Sequence, residues 1–236
     1  MAVAFILLLV GAYLVGSVPT AYIVGRWRRG IDIRQYGSGN VGASNLLRAS
    51  GKGPAIVVII VDVAKGILMI WAAQAAGLAF PQQVAVGLAA IIGHNWPVFL
   101  RFSGGRGILT TMGVAFCLPL FNGPLVPWAC FISFAVAAIF IFGIHNLPLG
   151  TIAGMATLPL SSWLVNEPLA LNLGYLGMLL LVVIRRLTAP KTSLTTSVST
   201  GELLFNRLFL DRDIRNKEAW IHRQPAEKEK RGDLTK

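Results

Sequence analysis

The sequence predicts an all-α integral membrane protein of seven transmembrane helices, with the N-terminus outside, the C-terminus cytoplasmic and a cytoplasmic C-terminal amphipathic helix. Three observations predict it. Of 236 residues, 55% are hydrophobic and only 13% charged, too little polar surface to cover a soluble globule of that size. Apolar stretches approaching the length needed to cross the hydrocarbon recur along most of the chain with short breaks, and only structures that satisfy their own backbone can lie in lipid. Basic residues collect in alternate loops, as a membrane topology demands.

The predicted spans are residues 2–24, 55–76, 84–100, 108–121, 125–144, 147–165 and 169–184. The first begins without a basic leader and outruns a signal-peptide core, so it is kept as a spanning segment. The fourth is short. It lies between a glycine loop and Asn122-Gly123-Pro124, so its flanks must be buried in protein or border water.

Sidedness follows from the cations. Arg26, Arg28, Arg29, Arg34, Arg48 and Lys52 fall between the first two spans, Arg101 and Arg106 between the third and fourth, and Arg185, Arg186 and Lys191 after the last. The opposite loops, residues 77–83, 122–124 and 166–168, carry no basic residue. The excess of 21 Lys+Arg over 10 Asp+Glu thus follows topology, which argues for a lipid bilayer and against nucleic acid as partner.

Residues 1–187 are read as the transmembrane catalytic domain, the Ser/Thr-rich residues 188–200 as a flexible linker, and residues 201–236 as the amphipathic helix with a charged tail. Leu203, Leu210, Ile214 and Ile221 share one helical face opposite Arg207, Arg212, Arg215 and Lys217, which suits anionic lipid or docking on the bundle. His94, His145 and His222 are scattered, and Cys117 and Cys130 sit in apolar runs. These patterns imply no metal site, no disulfide framework and no cofactor.

Chemistry concentrates in two loops. The first, Tyr36-Gly37-Ser38-Gly39-Asn40-Val41-Gly42-Ala43-Ser44-Asn45-Leu46-Leu47-Arg48, combines glycines that let backbone N–H groups approach an oxyanion, neutral Ser and Asn donors, and a guanidinium fork. The second runs from Gly93-His94-Asn95 to Ser103-Gly104-Gly105-Arg106-Gly107 just before a predicted helix, whose free N–H groups attract anions. It is not a nucleotide P-loop. Within the second span Asp62 and Lys65 lie three residues apart on one face. Such a pair is either structural or functional, with Lys65 able to extend toward a substrate phosphate.

These residues resemble the bacterial glycerol-3-phosphate acyltransferases that use acyl-phosphate as donor. The family's GSGNPGATNxxR is matched by Gly37 to Arg48, its GHxxPxFLxFxGGKGxxT by Gly93 to Thr110, and its D-x-x-K-G by Asp62 to Gly66. The resemblance implies acyl transfer from acyl-phosphate to the 1-hydroxyl of glycerol 3-phosphate, giving lysophosphatidate and phosphate. It also implies a location in the bacterial cytoplasmic (inner) membrane, a separate enzyme supplying acyl-phosphate, and a chain working as a monomer. By match, Ser38, Arg48, Arg106 and Asn45 take catalytic positions. Gly37, Gly39, Asn40, Lys65, His94, Gly104, Gly105, Gly107, Thr110, Asn206 and Arg207 take substrate- or phosphate-binding ones. The chain departs from the pattern at Val41, Ser44 and Arg106, the last keeping the charge of a lysine in a different shape. Where the family has a serine run, only Thr151 of His145 to Thr151 keeps a hydroxyl. The third motif, after the last span, is not cleanly present, and its nearest candidate is Asn206-Arg207-Leu208 with Asp211 or Asp213 downstream. The other reading is a non-catalytic membrane protein that binds or transports phosphate-containing anions or lipids with the same loops.

Overall fold

The computed structural model describes residues 1–123, 126–190, 195 and 198–223. Leu125, Lys191, most of the linker's Ser/Thr run and the charged tail lie outside them. The described residues are helical bundle and loop, without strand. Each predicted span has its helix. The helices are α1 (Ala2–Ser17), α2 (Thr20–Arg29), α3 (Ala43–Ser50), α4 (Lys52–Ala75), α5 (Phe80–Asn95), α6 (Ile108–Phe121), α7 (Trp128–Ala138), α8 (Leu147–Leu164) and α9 (Leu169–Leu187), followed by the short α10 (Thr200–Phe205) and α11 (Lys217–Ile221). Among the described residues, four segments are long and apolar enough to cross a membrane: Ala2–Arg29, Lys52–Ala75, Phe80–Leu100 and Leu169–Leu187.

The first predicted span is two helices. Pro19 has no N–H to continue the ladder, and the Val18 carbonyl at the break accepts hydrogen bonds from Lys65 Nζ at 2.6 Å and Thr20 N–H at 3.0 Å. The third span begins earlier than expected because Gln82 and Gln83, polar enough to read as loop, serve the helix start. Gln82 Oε1 accepts from Ala79 N–H at 2.9 Å, and buried Gln83 exchanges amide hydrogen bonds with Asn122. It ends at Asn95 because Pro97 follows.

Packing without a strong hydrophobic drive between lipid-bathed helices relies on small residues at crossings. Gly66 of α4 lies against the Thr110 and Gly113 backbone of α6, and Gly113 against Val63, so closely that a Cβ at either would collide with main chain. Ile70, Ile91, Val114, Leu118, Leu171, Tyr175, Met178 and Val182 fill the centre where α4, α5, α6 and α9 meet. Outward-facing Leu7, Ile60 and Leu173 are more than half exposed, the surface that lipid covers.

The continuous C-terminal amphipathic helix is corrected. α10 runs into a π-turn at Asn206–Leu210, and Asp211, at φ 51°, turns the chain out of the helix. Two carboxylates win over helix continuation: Asp211 pairs with Arg106 at 2.7 Å and Asp213 with Arg207 at 2.8 Å. Burial is also inverted relative to a helix docked by its apolar face. Asn206, Arg207 and Asp213 are buried while Leu204, Phe205 and Phe209 are exposed. Of the expected linker, Thr195 is buried, its hydroxyl bonded to Asp213 Oδ2 at 2.6 Å.

Candidate active site

The chain's polar residues meet in one cavity of about 770 Å³, bounded by the first loop, the first half of α4, the starts of α6 and α8, the end of α9 and the C-terminal segment. This is the size of a small-molecule site. Its lining includes the cations Arg48, Lys52, Arg106, Arg186, Arg212 and Lys217. Its acids, Asp62 and Asp211, are already paired, with Lys65 at 2.7 Å and with Arg106. The apolar residues Leu47, Ala55, Ile56, Ile59, Leu109 and Leu147 line it as well. Of these, Ile56 and Ile59 are 54% and 42% exposed.

The first loop is shaped from within. Buried Asn45 reaches the Ile33, Tyr36 and Asn40 carbonyls at 3.2, 3.0 and 3.1 Å through Nδ2, while its Oδ1 accepts from Ser38 N–H at 3.3 Å. Ser38 Oγ accepts from Asn40 N–H at 3.3 Å, which leaves the hydroxyl hydrogen available to the cavity. Arg48, at the end of α3, is exposed on the cavity wall. Below the loop, Asp32 is held under its usual carboxylate range by hydrogen bonds from Arg34, against the opposing effect of its burial.

The second loop is gripped by Arg185, whose Nε and Nη2 donate to the Gly105 and Gly104 carbonyls at 2.9 and 2.7 Å. Gly105 N–H is spent on the His94 carbonyl at 3.1 Å, and Gly105 lies so close to the His94 ring that a Cβ would overlap it. The Gly105 amide is therefore already engaged within the loop. Gly37 N–H likewise bonds the Arg223 carbonyl at 2.9 Å, and Gly39 N–H the Tyr36 carbonyl at 2.9 Å. The donors facing the cavity come one step later, where Gly107, at φ 72°, starts α6. Gly107, Ile108 and Leu109 line the cavity, and the first N–H groups of a helix have no acceptor within it.

Beneath the cavity, Thr20 Oγ1 donates to Asp62 Oδ1 at 3.0 Å, Thr110 Oγ1 to the Asp62 carbonyl at 3.0 Å, and His94 Nδ1 stands 3.9 Å from Asp62 Oδ1. Lys65 is buried, spends hydrogen bonds on Asp62 and Val18, and does not line the cavity. Asn206 and Arg207 are also away from its wall. Asn206 Nδ2 donates to the Asp213 carbonyl at 3.3 Å, and Arg207 forks onto Asp213 while reaching the Leu187 carbonyl at 2.8 Å. Of the residues matched by motif, Ser38, Asn40, Arg48, His94, Arg106 and Gly107 share the cavity. Gly37, Gly39, Asn45, Lys65, Gly104, Gly105, Thr110, Asn206 and Arg207 support it from behind.

This arrangement places two matched motifs around a cationic, half-apolar chamber, and residues 6–196 match the sequence profile of the family described as glycerol-3-phosphate acyltransferase. The chain belongs to that family. Two Dehalococcoides mccartyi proteins named glycerol-3-phosphate acyltransferase 5 and 4 are 47% and 44% identical to it, each over 96% of this chain and over 96% and 97% of their own lengths. A crystal structure of PlsY, an integral membrane glycerol 3-phosphate acyltransferase in its glycerol 3-phosphate form, superposes with a TM-score of 0.72 at 27% identity, over 90% of this chain and 95% of that one. The family resemblance and the all-helical, multi-pass membrane architecture are thus borne out.

Against the family's motifs, the residue that sequence reasoning missed is Arg186. Its Nη2 donates to Thr151 Oγ1 and the Pro148 carbonyl at 2.6 and 3.0 Å, and its Nη1 to the Leu208 carbonyl at 2.5 Å. It is buried yet lines the cavity. The signal was there in the doublet Arg185-Arg186 at the end of an apolar run, which topology alone explained too easily.

Proposed function

We propose that this membrane acyltransferase of phospholipid synthesis moves a fatty acyl group from an acyl-phosphate to the 1-hydroxyl of glycerol 3-phosphate, giving lysophosphatidate and inorganic phosphate. The observation that carries the reading is the mixed lining of the cavity. Its cations, of which Asp211 engages Arg106, and the helix N-terminus suit phosphate, and its apolar residues suit an acyl chain.

The chemistry asks little covalent work of the protein. An acyl-phosphate is a mixed anhydride, so the acceptor oxygen adds to its carbonyl, the C–O bond to phosphate breaks, and the hydroxyl proton ends on the released phosphate. What remains is to hold two anions, orient the hydroxyl and stabilise the charge that develops on the carbonyl oxygen. In this reading the α6 N-terminus and Arg106 hold the donor phosphate. Arg48 supplies its planar fork to the acceptor phosphate, and Ser38 donates its hydroxyl hydrogen to substrate oxygen. Asn40 and His94 line the same space. Asn45, Lys65, Thr110, Asn206, Arg207 and the loop glycines act by positioning.

The deciding experiment supplies purified protein in detergent with a long-chain acyl-phosphate and follows phosphate release. Release that depends on glycerol 3-phosphate is expected. No transfer to glycerol 3-phosphate, with release absent or independent of acceptor, overturns the reading.

The topology proposal is seven crossings in the cytoplasmic membrane, N-terminus outside and C-terminus inside, with the cavity facing the cytoplasm where a separate enzyme delivers acyl-phosphate. The absence of basic residues from loops 77–83 and 166–168 and the cationic cavity mouth support it. Residues 1–187 form the catalytic bundle, with residues 201–236 following the linker, and a single chain holds the whole cavity. A cysteine placed at Gln82 is expected to react with an impermeant reagent from outside intact cells, whereas one at Arg28 is expected to stay protected.

A further inference from the structure

The C-terminal segment does more than follow the bundle. Arg223 clasps the first loop three times: its carbonyl accepts from Gly37 N–H at 2.9 Å, its Nε donates to the Gly37 carbonyl at 2.9 Å, and its Nη2 donates to the Arg34 carbonyl at 3.3 Å. The clasp carries Trp220 onto the cavity wall beside Lys217 and Ile221. Trp220 is 4% exposed, with the Arg223 guanidinium 5.8 Å from its ring centroid. Its indole N–H is buried and makes no hydrogen bond.

A buried indole N–H normally finds an acceptor, because leaving it bare is costly. Two further cavity-lining donors share this state, Arg186 Nε and Arg212 Nε. Three residues of one chamber, from α9, from the turn after α10 and from α11, thus each carry an unmatched donor enclosed in its wall, while the chamber's acids are already paired. The family profile ends at residue 196, so Trp220 belongs to a part of the chain beyond the matched motifs.

We propose that Trp220 is a substrate-binding residue whose indole N–H donates to a phosphate oxygen of the bound substrate, carried there by the Arg223 clasp. The proposal rests on the phosphate-substrate reading above. It concerns the phosphate group that glycerol 3-phosphate and acyl-phosphate share, and kinetics separate the two sources.

The test replaces the indole with the least change of shape. The full chain carries benzothienylalanine at position 220, which swaps the N–H for sulfur, and Trp220→Phe is made in parallel. KM is measured for each substrate with the other saturating. Calorimetric titration of glycerol 3-phosphate and of inorganic phosphate is run without acyl donor. A hydrogen bond to a charged group predicts a rise of about tenfold or more in KM for one substrate, with kcat within about twofold. A rise for glycerol 3-phosphate assigns the bond to the acceptor, and a rise for acyl-phosphate assigns it to the donor. If the benzothienyl protein keeps both KM values and both titrations within about twofold of wild type, Trp220 is only packing and the proposal is overturned. If wild type transfers no acyl group but phosphate binding still weakens in both variants, the reaction reading fails and the Trp220 contact stands.

Discussion

Replacing Lys65 by Met tests whether the charge inside α4 serves the fold or the substrate. Lys65 Nζ donates at 2.7 Å to Asp62 Oδ1 and at 2.6 Å to the Val18 carbonyl, and both charged side chains are almost fully buried. Removing the cation leaves Asp62 with Thr20 Oγ1 at 3.0 Å as its remaining close partner and leaves the Val18 carbonyl with Thr20 N–H alone, at 3.0 Å. Losing one member of a buried pair costs about 3–5 kcal/mol. At about 2–4 °C per kcal/mol for a chain of this length, the thermal midpoint in detergent should fall by roughly 10 °C. Converting Asp62 to Asn in the same chain removes the stranded charge and should recover more than half of that loss, since a neutral replacement of both partners is often tolerated. Static light scattering with thermal ramping measures all three proteins. In the double variant, KM for glycerol 3-phosphate should remain within about threefold of wild type. A stable double variant with KM raised by a hundredfold would refute the structural account, because it would place Lys65 on the substrate.

Other perturbations separate binding from support. Ser38→Ala and Arg48→Ala should each abolish acyl transfer without shifting the thermal midpoint, as read by phosphate release and unfolding on the same preparations. Arg185→Ala frees the Gly104 and Gly105 carbonyls and lets the second loop drift, and displacement by ~1 Å is enough for about a hundredfold loss of kcat. Asp211→Asn loosens Arg106, so the KM for acyl-phosphate should change while the helical circular dichroism signal does not. For Asp32→Asn the pH dependence has a definite sign. The folded pKa lies below the ordinary 3.8, so the carboxylate's contribution is present above that value and disappears as pH falls through the lower, folded one. The midpoint gap between wild type and Asp32→Asn should therefore be constant from pH 7 to 5 and close on further acidification.

Much of the bundle could be read in advance because lipid imposes simple rules. Apolar length located the long helices of the bundle, and alternation of charge in the loops supplied the topology proposed above. The boundaries were misread where polar side chains serve the helix itself, as at Gln82 and Gln83, or where Pro19 divides an unbroken apolar run. In the site, the motif residues were legible but their division of labour was not. Asn45 and Arg48 stand three apart in one helix, yet one is buried under the loop and the other faces the cavity. The C-terminal region was misread because spacing of Leu203, Leu210, Ile214 and Ile221 scores only apolar residues. The choice was made by Asp211 and Asp213, whose partners Arg106 and Arg207 lie at distances along the chain that periodicity does not weigh.

Arg186 ties together the two stretches in which this chain differs from the family's usual pattern. One guanidinium bonds Thr151 on one side and Leu208 on the other, so these departures form a single unit of exchange. Grafting a serine-run segment or a family-type C-terminal motif alone would leave Arg186 fitted to half of each parent. A chimera that swaps both together keeps a matched set, and engineering of acyl or acceptor preference in this chain has to treat the end of α9, the start of α8 and the C-terminal turn as one module.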